Sequence, residues 1–232
     1  MATLFDAARD VSQDIFRNIV SLRESQDLFD DLTDGDAGLS RTAIELEAQV
    51  KRDMPLGLVN RGFAYSMAIG YPFETQPFMS SRFGDGTFGV WYGALESETT
   101  IYETAYHMMR AELCVAGIDE IVIRERAVYW VFCNAVLLDM TAKGKDFPQL
   151  TASDYGFTQQ LGRRTQREGH PGLLARSARS EGTNAVIFNP DVLNNPRLAY
   201  HLSYAFDPAT QTVKVERTSG ELLMVVNGAS WF

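Results

Sequence analysis

The stretch FGVWYGALESETTIYETAYHMM, residues 88–109, decides the fold class. Its opening, FGVWYGAL, is a short apolar run rich in aromatic residues, which predicts a strand buried on both faces. Gly89 and Gly93 share one face with Trp91, and glycine inside a strand marks close approach by a ligand or another backbone. From residue 97 to 113 the period changes. Ile101, Tyr102, Ala105, Met108, Met109 and Leu113 form the apolar side of a helix, while Glu103, His107 and Arg110 fall on a different stripe.

Working outward, the downstream chain is rich in β-formers. IVIRERAVYWVFCNAVLLD (121–139) predicts two strands, followed by a Lys/Gly/Pro loop near 143–148 and a helix over 154–168. NAVIFNP gives another buried strand, and RLAYHLSYAF, TVKVERT and ELLMVVN predict closing antiparallel strands separated by turns. Upstream, GLVNRGFAYSM (57–67) alternates and predicts the first strand of this domain, and AIGYPFETQPF, with two prolines, predicts a loop. Residues 5–32 place Val11, Ile15, Ile19 and Leu22 at helical spacing. That pattern predicts an amphipathic helix, ending near the turn-rich TDGDAGLS and followed by a second helix from Arg41 to about Arg52. This flank could be a helical cap, a partner-docking arm or a segment packed on the main domain. The expected architecture is α+β with a curved, mostly antiparallel sheet, divided into a helical extension (1–54) and a main domain (55–232).

Composition narrows the function. A chain of 232 residues can bury a substantial core. No apolar run reaches the ~18–20 residues of a membrane helix and no secretion signal opens the chain, so a soluble, cytoplasmic protein is expected. The net charge of −9 argues against a nucleic-acid partner, which requires a basic surface. It leaves room for a small anionic ligand, because two or three local arginines can neutralise one diphosphate. Cys114 and Cys133 lack CxxC spacing, and His107, His170 and His201 lack metal-ligand spacing, so neither a disulfide nor a metal site is expected.

Several polar residues stand out from apolar surroundings. Arg61 lies in VNRGFAY and Arg82 in SSRFGDG, each beside aromatic residues; either could form surface ion pairs with some of the thirty acidic residues, or grip an anion. Tyr92 alternates with Trp91, so only one of them can face a given cleft. Glu103, taken alone, reads as a solvated helix glutamate. Beside a sugar anomeric carbon, a carboxylate can instead stabilise oxocarbenium-like charge. Ser177 and Arg179 lie in RSAR, and Asn189 ends the following strand. There is no GxSxG elbow around Ser177, so a hydrolase nucleophile is not expected. The GDG of residues 84–86 is a turn signal with weak phosphate-binding value.

In order and spacing, these segments resemble the RES family of bacterial toxins over about residues 57–206. The resemblance implies a split, curved sheet like that of ADP-ribosyltransferase toxins, with NAD as substrate and no further cofactor. It implies that Glu103 stabilises the cation formed as the nicotinamide–ribose bond breaks and positions the acceptor. Arg61 and Arg82 would hold the diphosphate, Tyr92 and Ser177 would fix the nicotinamide mononucleotide half, and Arg179 and Asn189 would stand nearby. Water, phosphate or a protein side chain could be the acceptor. A neutralising partner is also implied, either an antitoxin of the Xre type or an immunity protein, and self-association is possible. A non-catalytic interaction module is the competing reading.

Overall fold

A computed structural model describes residues 3–21, 65–74, 76–115, 117–218 and 220–232. The segment read as the first helix is, over Ala8–Val20, a thirteen-residue strand, β1. It pairs antiparallel with β3 (Val122–Asp139) from Ala8↔Leu138 to Val20↔Arg126. The helical reading is corrected there, and so is the domain division, because residues 8–20 belong to the main sheet. The remainder of the 5–32 helix after Ser21, the second helix at 41–52 and Arg61 lie outside the described residues.

The order continues with a π-helical turn (Ser66–Gly70) and a short helix, α1 (Tyr71–Glu74), where a strand end and a loop were expected. Trp91 explains part of this placement: its indole N–H donates to the Ala68 carbonyl (2.7 Å), tying the turn to the core. Then come β2 (Trp91–Ala94), α2 (Ser97–Glu112), β3, α3 (Gly156–Arg167), β4 (Gly172–Arg176) and β5 (Thr183–Ile187). β6 (Leu193–Asp207), β7 (Thr212–Thr218) and β8 (Glu221–Asn227) close the chain as an antiparallel meander. The two strands expected in 121–139 are one long strand, bulged against β6 at Val128/Tyr129 and Trp130/Phe132.

The eight strands run β1-β2-β5-β4-β3-β6-β7-β8, and the added β1–β3 pairing closes the first five into a circuit. All pairings are antiparallel except β3–β4. The mixed, mostly antiparallel architecture is therefore as expected, and circuit closure makes the sheet curve. Inside the circuit Val11, Ile15, Trp91, Val131, Leu137 and Ile187 pack together. Truncating a fully buried residue such as Ile15 to alanine would cost roughly 2–5 kcal/mol. Outside the circuit, α2 packs Ile101, Ala105 and Met109 on β6–β8, and α3 packs Leu161 beside Phe83, Leu173 and Val186. Gly93 is required where β1 crosses β2: a Cβ there would lie 2.6 Å from the Phe16 carbonyl oxygen. No helix among the described residues is long and apolar enough to cross a membrane.

Candidate active site

The sheet circuit, the N-terminal half of α2 and the β4–β5 turn enclose a cleft of about 250 Å³. A second, wider cavity of about 630 Å³ adjoins it, sharing Arg17, Ser81, Tyr92, His107 and Tyr155 as walls.

Glu103 lies on the cleft side of α2. Its Oε1 accepts hydrogen bonds from the Ser177 hydroxyl (2.7 Å) and the Asn184 amide (2.6 Å). No described group bonds to Oε2, so this cleft-lining carboxylate is held by one oxygen and keeps the other as an acceptor. Ser177 reaches Glu103 because the β4–β5 turn docks on the first turn of α2. Ser180 donates to Thr99 (3.3 Å), Thr183 N–H donates to Glu96 (2.9 Å), and a Cβ on Gly182 would overlap the Thr99 hydroxyl.

The Ser177 oxygen also accepts from the backbone N–H groups of Arg179 and Ser180, each at 3.0 Å. One donor and two acceptor positions exhaust a hydroxyl. Ser177 is buried and does not line the cleft. The expected bond from Ser177 to the ligand is thus replaced by a bond to Glu103.

Three arginines bound the cleft. Arg82 donates through Nη1 to the carbonyls of Ala152 (2.6 Å) and Leu150 (3.3 Å), with its guanidinium 4.6 Å from the Tyr155 ring. Arg179 lies 3.6 Å over Tyr106. The third, Arg17, comes from β1 and escaped the sequence reading. It donates to the Tyr92 carbonyl and packs 5.3 Å from the Trp91 ring, while its buried Nε has no described partner. Burial and the nearby positive charge of Arg126 push the Arg17 guanidinium down to about 10, which leaves it a cation at neutral pH. None of the three is paired with a carboxylate among the described residues.

Tyr92 faces both cavities, yet its hydroxyl accepts from the Phe83 N–H (2.8 Å) and shares a hydrogen bond with Ser81 (2.9 Å). It braces the loop that carries Arg82. Burial pushes this phenol up to about 12, so it stays protonated. On the cleft wall, Asn18 accepts from Arg126 (3.0 Å) and donates to Tyr204 (3.0 Å), whose hydroxyl meets Thr104 (3.0 Å). His107, one helical turn beyond Glu103, lines both cavities; burial lowers its pKa despite the opposing pull of Glu103, so it is neutral at pH 7.

Asn189 lies elsewhere. It caps the 3₁₀ turn Pro190–Val192, accepting from the Asp191 N–H (3.0 Å), and does not line the cleft. Asn184, five positions earlier, is the asparagine that reaches Glu103. Gly86 of the GDG turn has a positive φ, and Asp85 within it pairs with Arg163.

Among curated proteins none matches this chain. A chain from the crystal structure of the M. tuberculosis MbcT-MbcA toxin-antitoxin complex is similar at 12% identity, covering 87% of this chain and 88% of that one, with a TM-score of 0.46. The family model of the RES domain matches residues 59–207, a span that holds Arg82, Tyr92, Glu103, Ser177 and Asn184 but neither Arg17 nor β7 and β8. With its arginine, glutamate and serine carried by that matched span, the chain belongs to the RES domain family.

Proposed function

We propose that the cleft binds NAD and breaks the bond between nicotinamide and ribose, as a toxin whose activity a partner protein must restrain. The supporting observation is a carboxylate fixed through one oxygen, its other oxygen without a described partner, lining a cleft together with Arg17, Arg82 and Arg179. Their charge, unpaired with any carboxylate among the described residues, suits a diphosphate. The adjoining cavity of about 630 Å³ falls in the size range of small-molecule sites, roughly 300–1,000 Å³, and extends the 250 Å³ cleft.

In this reading the C1′–N bond breaks heterolytically. Its electron pair leaves with nicotinamide, which departs neutral from a cationic ring, so no general acid is needed. Positive charge develops on the ribose and Oε2 of Glu103 stabilises it, in a site where preorganised charge acts at short range. An acceptor then donates an electron pair to C1′ and releases a proton. Water gives ADP-ribose, inorganic phosphate gives the 1″-phosphorylated product, and a protein side chain gives a modified target. The partner belongs to the same proposal: an antitoxin of the Xre type, or an immunity protein, would protect the cell that makes the enzyme.

The test is to incubate pure protein with NAD, with and without phosphate, and to identify the ribose-containing product by mass spectrometry. Release of nicotinamide is expected, and the second product names the acceptor. Stable NAD at stoichiometric protein would refute the reading.

A further inference from the structure

We infer that Trp231 and Phe232 are positioning residues for Arg179, completing one wall of the cleft from outside the segment that matches the RES domain; this rests on the reading of the cleft as the NAD site. After β8 the chain turns back, with the Gly228 N–H donating to the Gln211 carbonyl (2.9 Å) and the Trp231 N–H to the Gly228 carbonyl (2.9 Å). Gly228 is pressed against α2 so closely that a Cβ would lie 2.2 Å from the Met109 sulfur. That turn delivers two rings to Tyr106 of α2. Phe232 stacks on it, 5.5 Å between centroids at 3°, and Trp231 meets it edge-on at 5.6 Å and 78°.

Arg179 completes the cluster, its guanidinium 3.6 Å from Tyr106 and 5.9 Å from Trp231. Tyr106 and Arg179 both line the cleft. An arginine paired with a carboxylate has spent its charge and its donor fork. One held by ring faces keeps both for an incoming anion, because the contact uses the π-surface of the guanidinium and leaves the N–H edge outward. Phe232 is still 52% exposed, so burial alone gives the tail little reason to hold this pose. The stack on Tyr106 does.

The experiment compares the full chain with Trp231→Ala/Phe232→Ala, with Arg179→Ala and with all three combined. The tail variant should raise KM for NAD by ~3- to 10-fold, the range of a lost cation–π contact, with kcat within about twofold. Trp231→Phe with Phe232 kept should restore most of the loss. In the Arg179→Ala background the tail substitutions should add nothing, which a merely structural role would not produce. Unchanged KM, or effects that add in the cycle, would overturn the proposal. If circular dichroism shows the double alanine variant to be unfolded, Phe232→Leu and Trp231→Leu, which keep bulk and remove the rings, are read in the same cycle with the same criteria. Wild-type protein that neither binds nor consumes NAD overturns the functional reading and this inference with it. An active wild type with additive variants overturns the inference alone.

Discussion

Ser177 and Glu103, 74 residues apart in the chain, share a 2.7 Å hydrogen bond that points a carboxylate into the cleft. In the proposed mechanism the serine acts through the glutamate, and this assigns the two residues different losses on substitution.

Glu103→Gln should fold normally, since the glutamine oxygen can accept the same bonds from Ser177 and Asn184. Removing the charge should slow NAD cleavage by about 100-fold or more, the scale of losing one electrostatic stabiliser. Nicotinamide release per folded molecule is the measurement, and wild-type turnover would remove Glu103 from the mechanism.

Ser177→Ala frees two backbone N–H groups in a partly buried turn along with the carboxylate bond. The expected cost is about 1–3 kcal/mol of stability, seen as a lower denaturation midpoint. Because Asn184 still holds Oε1, the rate should fall less than in Glu103→Gln. An equal or greater rate loss in a fully folded Ser177→Ala protein would place the hydroxyl in direct contact with substrate.

Arg17→Met should raise thermal stability while weakening NAD binding. A buried cation without a described carboxylate costs stability at every pH below about 10, where it remains charged. Methionine fills the space without that cost. Each kcal/mol gained should add about 2–4 °C to Tm. A loss of stability together with unchanged KM would show that Arg17 serves the fold and not the ligand.

His107 makes stability depend on acid. Its folded pKa lies below the ordinary 6.5, so the unfolded chain takes up the proton first. The stability from keeping it neutral is complete above pH 6.5 and is lost as pH falls toward the folded value. Glu103 opposes this, while Arg110, Arg179 and Arg82 reinforce the burial. Melting curves at several pH values should show His107→Gln losing less stability than wild type on acidification; parallel losses would assign the acid sensitivity to other groups.

A fragment comprising residues 55–232 should fail to fold. It lacks β1, whose Val11 and Ile15 are buried in the circuit and whose Arg17 bounds the cleft. Sharp, dispersed NMR signals from that fragment would contradict the role given to β1.

The strand–helix passage at 88–109 was legible because its period switches inside one continuous segment. β1 was not. Val11, Ile15 and Ile19 are four apart, and four is both close to one helical turn and an even number, so the same residues share a strand face. The β-branched character of these residues, and of Val20, carried the missing signal. The sequence of β3 reads as two strands because its bulges against β6 interrupt the alternation. In the site, Glu103, Arg82 and Tyr92 sit in local motifs and could be named from sequence. Asn184 could not, since a single asparagine entering a strand has no signature until the β4–β5 turn folds onto α2. Asn189 was singled out instead, but it occupies a cap.

Closure of the strand circuit also decides when, during synthesis, a working cleft can exist. β1 is made before the strands it pairs with, its partners on β3 begin at Arg126, and Asn184 on β5 arrives later still. Loop closure over such separations is slow compared with local helix formation. A nascent chain that has emerged only as far as β3 carries Glu103 without Ser177 or Asn184 to orient it. The proposed activity therefore requires a chain grown at least through β5, and a fragment that stops at β3 is not armed.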